Sequence, residues 1–312
     1  MLSRIADSLF WMARYMERTD GMLRMLKINL ITALDRSGQA NFNWQPVLKI
    51  FTSLPPEEVE RLSLNSDEVL RYMIFNKENE NSIRSIVGKA RENTRGAQDH
   101  VTKEVWESIN EFYHKLNDPG LEKAIARGEQ IVMLSGLINQ YLHFTGVAEV
   151  TMPREQGWNY LNLGKFIERG VITADILDIK FSNISNDLAN PSDVPYWRNL
   201  LLSLNCYELY LKRYQGSLDG QNVADLAILN PQFPRSLAYC LFRLERTVQH
   251  LSDEYPENSD PVKKIIGRLR AKVEFADMES ISGVGLHTFL TEMKLNFYQF
   301  SNALGRTYFA YN

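Results

Sequence analysis

Residues 9–26, LFWMARYMERTDGMLRML, and residues 160–177, YLNLGKFIERGVITADIL, carry the same short motif inside two helical patterns. In both, a basic residue and two apolar residues precede a Glu-Arg pair, at Glu17-Arg18 and at Glu168-Arg169, 151 positions apart. Apolar residues recur around each copy at the three- and four-residue spacing of an amphipathic helix. The ungapped match extends over about five helical turns. We therefore predict two related helices, each with a charged layer within its apolar surface.

Helical periodicity continues through most of the 312 residues, and no segment shows the two-residue alternation of a half-buried strand. The first helix is predicted from Ser3 to about Leu34, and the second Glu-Arg helix from Glu155 to about Phe181. No low-complexity stretch or flexible linker divides the chain. We predict an all-α protein with one domain, 1–312, built as a single large multi-helix bundle around the pseudo-repeated pair of Glu-Arg helices.

Glycine, proline and asparagine predict where the other helices end. Residues 82–116 are predicted to be helical with a break near Gly96, and Asp118-Pro119-Gly120 is predicted to be a turn. A helix over residues 121–144 is then followed by a connection over residues 146–153. Residues 190–193 are predicted to begin a helix that ends near Tyr214.

The composition narrows the classes of function. The chain has 35 Lys and Arg residues against 38 Asp and Glu residues, a net charge of −3, which does not favour nucleic acid or an anionic membrane as a partner. Cys206 and Cys240 lie 34 positions apart without a C-x-x-C motif, so neither a disulfide framework nor a zinc site is predicted. Acidic residues interrupt the N-terminal segment, and no apolar run is long enough to span a bilayer. These features predict a soluble protein of the cytoplasm.

The Glu-Arg pairs are the first candidate for a functional centre. Glu17 pairing with Arg169, and Glu168 with Arg18, would interlock the two helices. The alternative is an ordinary ion pair within each helix, with Arg14 three residues before Glu17. Buried Glu-Arg layers lose hydration, so they are better explained by specificity or by a bound ligand than by stability. Glu17 and Glu168 are therefore the candidate catalytic residues, as general acids or bases.

Two further clusters suit the binding of an anion. Arg91 and Arg95 are four residues apart, a spacing that presents two guanidinium groups to one carboxylate or phosphate. The alternative is that they hold neighbouring carboxylates such as Glu17 or Glu168 and that nothing binds. Arg154 precedes the second Glu-Arg helix, where the alternatives are an anion site and a capping contact. The predicted substrate-binding residues are Arg14, Arg18, Arg91, Glu92, Asn93, Arg95, Arg154, Lys165 and Arg169.

Other chemistries find little support in the sequence. Di-iron helical bundles use two Glu-x-x-His units, and this chain has one, at Glu111 and His114, so no metal is predicted. A phosphate-cradling glycine loop and a serine or cysteine nucleophile motif are also missing, and no cofactor is predicted. A third, weaker copy of the motif, Phe242-Arg243-Leu244-Glu245-Arg246, has Phe242 in the place of the basic residue.

These motifs together resemble the alpha-E family, bacterial all-helical proteins named for a Glu-Arg motif. The resemblance rests on MLSRIADSLFWMARYMERTD, ARENTRGAQDHVTKEVWESIN, REQGWNYLNLGKFIERG and FPRSLAYCL, which occur in the order typical of the family. It extends over essentially the whole chain. Two departures are the segment Asn76 to Ile83, where the family tends to have Asn-Pro before Ser-Ile, and Lys165, where arginine is more frequent.

The resemblance implies a circularly permuted ATP-grasp protein as partner, often beside a transglutaminase-like peptidase, in systems that make and trim amide bonds. We accordingly expect the helical partner of an amide ligase, which binds a small peptide or amino-acid-like substrate with a carboxylate or phosphate group. One alternative is a transferase or hydrolase that uses Glu17 or Glu168 on its own. The other is a helical scaffold whose Glu-Arg layer only specifies packing.

Overall fold

The computed structural model describes residues 1–35, 44–182, 194–216, 218–254 and 260–309. Across these ranges it has sixteen α-helices, a short 3-10 turn at Gln98–His100 and no β-strand, which confirms the all-α class. The helices are α1 (Ser3–Asp35), α2 (Gln45–Phe51), α3 (Pro56–Ser63), α4 (Ser66–Ile74), α5 (Ile83–Gly96), α6 (Lys103–Leu116), α7 (Pro119–Ala126), α8 (Gln130–Thr151), α9 (Gln156–Ser182), α10 (Val194–Ser203), α11 (Tyr207–Tyr214), α12 (Gly220–Ile228), α13 (Leu237–Glu254), α14 (Asp260–Glu274), α15 (Met278–Val284) and α16 (Leu286–Tyr308). Within the same ranges, no helix has the combined length and apolar character that crossing a membrane requires.

The residues group into two compact units. Unit 1 contains Met1–Phe10 and Trp158–Asn312, and unit 2 contains Trp11–Gly157. The two Glu-Arg helices are α1 and α9, and their predicted bounds agree with the observed ones to within two residues. Glu17 therefore belongs to unit 2 and Glu168 to unit 1. The prediction of one domain over residues 1–312 stays a prediction.

Unit 2 contains a helical core in which α6 packs against both α5 and α8. Ser82 caps α5 by accepting a hydrogen bond from the backbone of Ser85, and Thr102 caps α6 in the same way through Val105. The predicted break near Gly96 is confirmed, since α5 ends there. This pairing brings Arg91, one of the predicted anion-binding arginines, into contact with α6.

Unit 1 contains α13 and α14, which pack along each other, and α16, which packs against α14. The helix α9 contacts α16 where Gly170 faces the ring of Phe297. A Cβ atom at Gly170 would lie 2.4 Å from Cζ of Phe297, and Phe297 is fully buried. Gly170 is thus the residue that allows this close approach of the second Glu-Arg helix to α16.

Three predictions about helices in unit 2 were wrong. The helix predicted over residues 121–144 is two helices, because α7 ends at Ala126 and α8 begins at Gln130, with Gly128 at a φ of 76° between them. Asp118 does not sit in an isolated turn, because its side chain caps α7, with Pro119 at the first helical position. The connection predicted over residues 146–153 is largely helical, since α8 continues to Thr151. Gly146 misled the prediction because it lies in open space on the helix surface, where a glycine weakens a helix without ending it.

In unit 1 the helix predicted to end at Tyr214 is two helices, α10 and α11. Asn205, with a φ of 60°, adopts the left-handed conformation between them. Asparagine tolerates this conformation better than most residues, and it ends a helix there. The predicted start of that helix at residues 190–193 lies outside the described residues.

Candidate functional site

Glu17 lies inside unit 2, with 1% of its surface exposed. Tyr141, from α8, donates a hydrogen bond of 2.7 Å from its hydroxyl group to Oε2 of Glu17. Glu17 lies on the buried face of α1, since Met16 beside it and Leu23 further along the helix are also fully buried. The first motif therefore presents a buried carboxyl group that is oriented by a phenol, a pair capable of holding or transferring a proton.

The arginines of the first motif lie in different surroundings. Arg14 is 6% exposed, and its guanidinium group lies 4.6 Å from the centre of the Trp11 ring, close enough for a cation-π contact. Arg18 is half-buried and donates to Oδ1 of Asn81 at 3.4 Å. Both side chains thus have partners within unit 2.

A neighbouring ion pair on α1 is missing from the predicted set. Asp20 is fully buried, and Nε of Arg24 lies 2.9 Å from both of its carboxylate oxygens. The spacing of four residues on one helix was the signal for this pair in the sequence. A second buried carboxylate therefore lies one turn beyond Glu17, neutralised within the same helix.

Arg91 is held from three directions. Its Nε donates to Oδ1 of Asn110 at 2.7 Å, and its guanidinium group lies 5.3 Å from the ring of Trp106 and 4.8 Å from that of Tyr113. These residues of α6 fix the plane of the guanidinium group. Such an arrangement lowers the entropy lost when an anion binds.

Glu92 joins the two arginines of α5. It accepts from Nη1 of Arg91 at 3.0 Å and pairs with Nη2 of Arg95 at 2.5 Å, while its own side chain is 51% exposed. The carboxylate that both arginines contact is Glu92 of the same helix, whereas the predicted alternative named Glu17 or Glu168. Asn93, on the next position, is half-buried. The side chain of Arg91 is 24% exposed and that of Arg95 is 64% exposed, so Arg95 is the more accessible of the two.

Arg154 binds the C-terminal end of α8. Its Nη2 donates to the backbone oxygen of Glu149 at 2.5 Å and to Oε1 of the same residue at 2.8 Å, and Nη1 donates to the backbone oxygen of Met152 at 3.3 Å. These contacts correspond to the capping alternative. The anion site at this position stays a prediction.

The second motif lies inside unit 1. Glu168 is 1% exposed and Arg169 is 8% exposed, and Nη1 of Arg169 donates to the backbone oxygen of Pro234 at 3.1 Å. One turn later, the hydroxyl group of Thr173 donates to the backbone oxygen of Arg235 at 2.9 Å. The helix α9 is thereby attached to the Pro234-Arg235 segment that precedes α13, so two of the family-like motifs meet in the fold.

Three cations surround the ring of Phe166 on the same helix. Nζ of Lys165 lies 5.5 Å from the ring centre, and the guanidinium carbons of Arg169 and Arg243 lie at 5.3 Å and 4.8 Å. The ring of Tyr239 packs against Phe166 in an edge-on orientation. Lys165 and Arg169 belong to the predicted substrate-binding residues, and their role in binding stays a prediction.

A second charged cluster in unit 1 lies further along α9. Asp178 is buried, and its carboxylate oxygens lie 2.6 Å from Nδ1 of His287 and 2.9 Å from Nζ of Lys294, both on α16. Lys294 also pairs with Asp175 at 3.1 Å. The contact with Nδ1 orients the imidazole of His287, whose side chain is 59% exposed.

Burial and charge act against each other in this cluster. Burial raises the pKa of the Asp175 carboxyl above its ordinary value, Lys294 opposes that change, and the charges of Asp178 and Glu168 add to it. Burial lowers the pKa of Lys294, but its contacts with Asp178 and Asp175 outweigh burial, so that the pKa lies above the ordinary value. Glu168 therefore acts electrostatically on a carboxyl two turns away, which links the second motif to this cluster.

Among the residues of these sites that are absent from the predicted set are Tyr141, Asp178, His287 and Lys294. The three-residue spacing of Asp175 and Asp178 and the seven-residue spacing of His287 and Lys294 were the local signals. Nothing near Tyr141 marks it as a partner of Glu17, 124 positions away. The pairing of Glu17 with Arg169 and of Glu168 with Arg18 stays a prediction. Throughout the described ranges, no three His, Cys, Asp or Glu residues cluster as metal ligands would.

Known proteins resemble the chain over nearly its full length. Two uncharacterized mycobacterial proteins, one from Mycobacterium bovis and one from Mycobacterium tuberculosis, are each 22% identical to it over 327 residues, which is 93% of this chain and 34% of each relative. The chain thus spans about a third of the length of these relatives. No solved structure matches it. A family model described as a predicted alpha-helical domain with a conserved ER motif matches residues 1–309, and the chain therefore belongs to the Alpha-E family.

Proposed function

We propose that this protein is the helical, substrate-binding partner of an ATP-grasp-type amide ligase. The observation that carries the proposal is the burial of both Glu-Arg motifs, with Glu17 and Glu168 each 1% exposed. Burying a charged group costs hydration that its contacts often do not fully repay, so buried glutamates at two matching positions favour a purpose other than stability. The substrate would be a peptide or amino-acid-like molecule with a carboxylate or phosphate group.

Arg91 and Arg95 supply the most accessible binding chemistry. Their shared carboxylate, Glu92, is half exposed, and the Arg91 guanidinium group is already fixed by Asn110 and two aromatic rings. A substrate carboxylate, or the acyl phosphate that an ATP-grasp enzyme makes from it, would replace Glu92 and bind both guanidinium groups. The acyl phosphate carries more negative charge, so the arginines would hold the activated substrate more strongly than the free acid.

The length of the relatives supports a role beside another domain. Because the chain matches 34% of each mycobacterial protein, about two thirds of their length lies outside the matched region. The family resemblance implies an ATP-grasp partner that supplies the nucleotide site, which this chain's own motifs do not include. In the proposed division of labour, the partner activates the carboxylate and this protein positions it.

The test is a reconstituted reaction with the ATP-grasp protein from the same genome. ADP release and the mass of the ligated peptide are measured with the wild-type protein and with Arg91→Ala and Arg169→Ala. We expect both variants to keep their helical circular dichroism spectrum and to lose most of the ligated product. Arg127→Ala is the matched control, because Arg127 is exposed and pairs with Glu129 away from the motifs. The proposal is wrong if both variants fold normally and leave ligase output unchanged.

A second candidate is a transferase or hydrolase that acts without a partner. The hydrogen bond of 2.7 Å between Tyr141 and the buried Glu17 favours it, because a carboxyl group paired with a phenol suits acid-base chemistry. Activity of the isolated protein on peptides or esters, lost in Glu17→Gln or Glu168→Gln, would support this function over the first. If none of these variants affects any activity, a packing scaffold is what remains.

A further inference from the structure

Unit 1 has an apolar cleft that none of the predicted site residues lines. The cleft lies where α12, α13 and α14 meet and has a volume of about 340 Å³. Leu229, Leu241 and Val273 form its apolar part, and Phe242, Arg270 and Glu274 bring an aromatic ring and two opposite charges. This combination of apolar walls with a few convergent polar groups is typical of small-molecule sites.

The charges at the cleft form a chain of contacts. Arg270 pairs with Glu245 and, at 3.3 Å, with Glu274, and its guanidinium carbon lies 5.6 Å from the centre of the Phe242 ring. The side chain of Glu274 is 51% exposed, and both of its contacts with Arg270 are at the long limit for such a pair. Glu245 and Phe242 thus hold Arg270 in place, while Glu274 is the partner that a ligand displaces most easily.

The third copy of the motif supplies two of these residues. In Phe242-Arg243-Leu244-Glu245-Arg246, the position that is basic in the other copies is Phe242, which is 37% exposed at the cleft. The guanidinium groups of Arg246 and Arg270 lie 5.7 Å and 5.6 Å from its ring. At the position that is basic in the other copies, the third copy thus places an aromatic side chain at the cleft.

We propose that this cleft binds an α-amino acid with an apolar side chain. The side chain lies against Leu241 and Val273, the carboxylate takes the place of Glu274 on Arg270, and the ammonium group pairs with the released Glu274. The site is separate from the Glu-Arg motifs of α1 and α9, so the proposal stands whether or not the protein serves a ligase.

Charge complementarity favours a zwitterion over other small apolar molecules. A purely apolar ligand would leave the Arg270–Glu274 pair intact and gain no fixed orientation from it. An apolar carboxylate would displace Glu274 without giving that side chain a new cation. The α-amino acid replaces one long ion pair by two. The volume, near the lower end of the roughly 300 to 1,000 Å³ found for ligand sites, limits the ligand to a small molecule.

The experiment titrates the 312-residue protein with L-leucine and L-phenylalanine by calorimetry, beside N-acetyl-L-leucine and L-leucinamide. We expect both analogues to bind at least about tenfold more weakly than leucine, since each has lost one charged contact. Arg270→Gln should abolish the preference for leucine over leucinamide, and Glu274→Gln the preference for leucine over N-acetyl-leucine. Arg268→Gln, exposed on the same helix, is the matched control and should bind as the wild type does.

A substitution within the cleft keeps the test independent of the ion pairs. Ala238→Leu fills the cleft from α13 and should remove binding of every ligand, whereas the same variant should keep its helical spectrum. The proposal is overturned if neither amino acid binds at millimolar concentration. It is also overturned if both analogues bind as well as leucine, or if leucine binds the Ala238→Leu protein unchanged.

Discussion

Gly170→Ala tests whether the second Glu-Arg helix is positioned by its contact with α16. A Cβ atom at Gly170 would lie 2.4 Å from Cζ and 2.9 Å from both Cε atoms of Phe297, and that ring is fully buried. Adding a carbon to a packed core costs about 1 to 3 kcal/mol, and three contacts this short indicate the upper end. Alanine in a helix interior returns about 1 kcal/mol. We therefore expect a net loss of about 2 kcal/mol in the free energy of unfolding.

Gly267→Ala is the matched control in the same unit. Gly267 also lies within a helix, α14, but its Cβ would meet nothing within 4 Å. This variant should therefore gain about 1 kcal/mol from helix propensity alone. The two substitutions are chemically identical, so the difference of about 3 kcal/mol between them measures the collision with Phe297.

The assay is urea unfolding followed by the circular dichroism of the helices. Both glycines belong to unit 1, so they report on the same transition even if the two units unfold separately. Phe297→Leu should recover part of the loss when it is combined with Gly170→Ala. The double variant should therefore lose less stability than the sum of the losses in the two single variants. The reasoning is refuted if Gly170→Ala is as stable as Gly267→Ala. It is also refuted if the losses of stability from Gly170→Ala and Phe297→Leu simply add in the double variant.

Two further predictions concern buried carboxyl groups. Tyr141→Phe removes the hydroxyl group that donates to Glu17, and it should lower the free energy of unfolding by about 1 to 3 kcal/mol. Tyr113→Phe, in the same unit, is the control and should change that free energy little. Equal effects of the two substitutions in urea unfolding would contradict the importance of the contact. Because the pKa of Asp175 is raised, the folded protein binds a proton there that the unfolded chain releases, so the stability contributed by this group falls as pH rises above 3.8. The free energy of unfolding of Asp175→Asn should therefore rise relative to that of the wild type as pH increases from below 3.8. If unfolding experiments show a constant difference between the two proteins over this pH range, the argument is wrong.

Much of the fold could be predicted from local patterns in the single sequence. Apolar periodicity predicted the all-α class, and it predicted both Glu-Arg helices to within two residues. Two of the errors occurred at residue types that are found both in helices and at the points where helices end. Gly146 lies within α8 although glycine often ends a helix, and Asp118 with Pro119 begins α7 although the pair often forms a turn.

The sequence predicted the burial of the two glutamates but not the residues that surround them. The periodicity that places Glu17 and Glu168 among apolar neighbours implies their burial, and both are 1% exposed. Their surroundings depend on residues far away in the chain. The partner of Glu17, Tyr141, comes from another helix, and Asp178 meets His287 and Lys294 from 109 and 116 positions away. Such pairings follow from helix packing, which no spacing within one segment reveals.

The two copies of the motif differ in the charge that follows them. At the same offset of 151 positions, Arg24 in the first copy corresponds to Asp175 in the second, and Lys27 corresponds to Asp178. The first copy thus continues with cations, and the second with carboxylates that need Lys294 and His287 as partners. Five of the seven predicted binding cations also belong to unit 2. The charges that follow each copy are thus neutralised differently, Asp20 by Arg24 within α1, and Asp175 and Asp178 by side chains of α16.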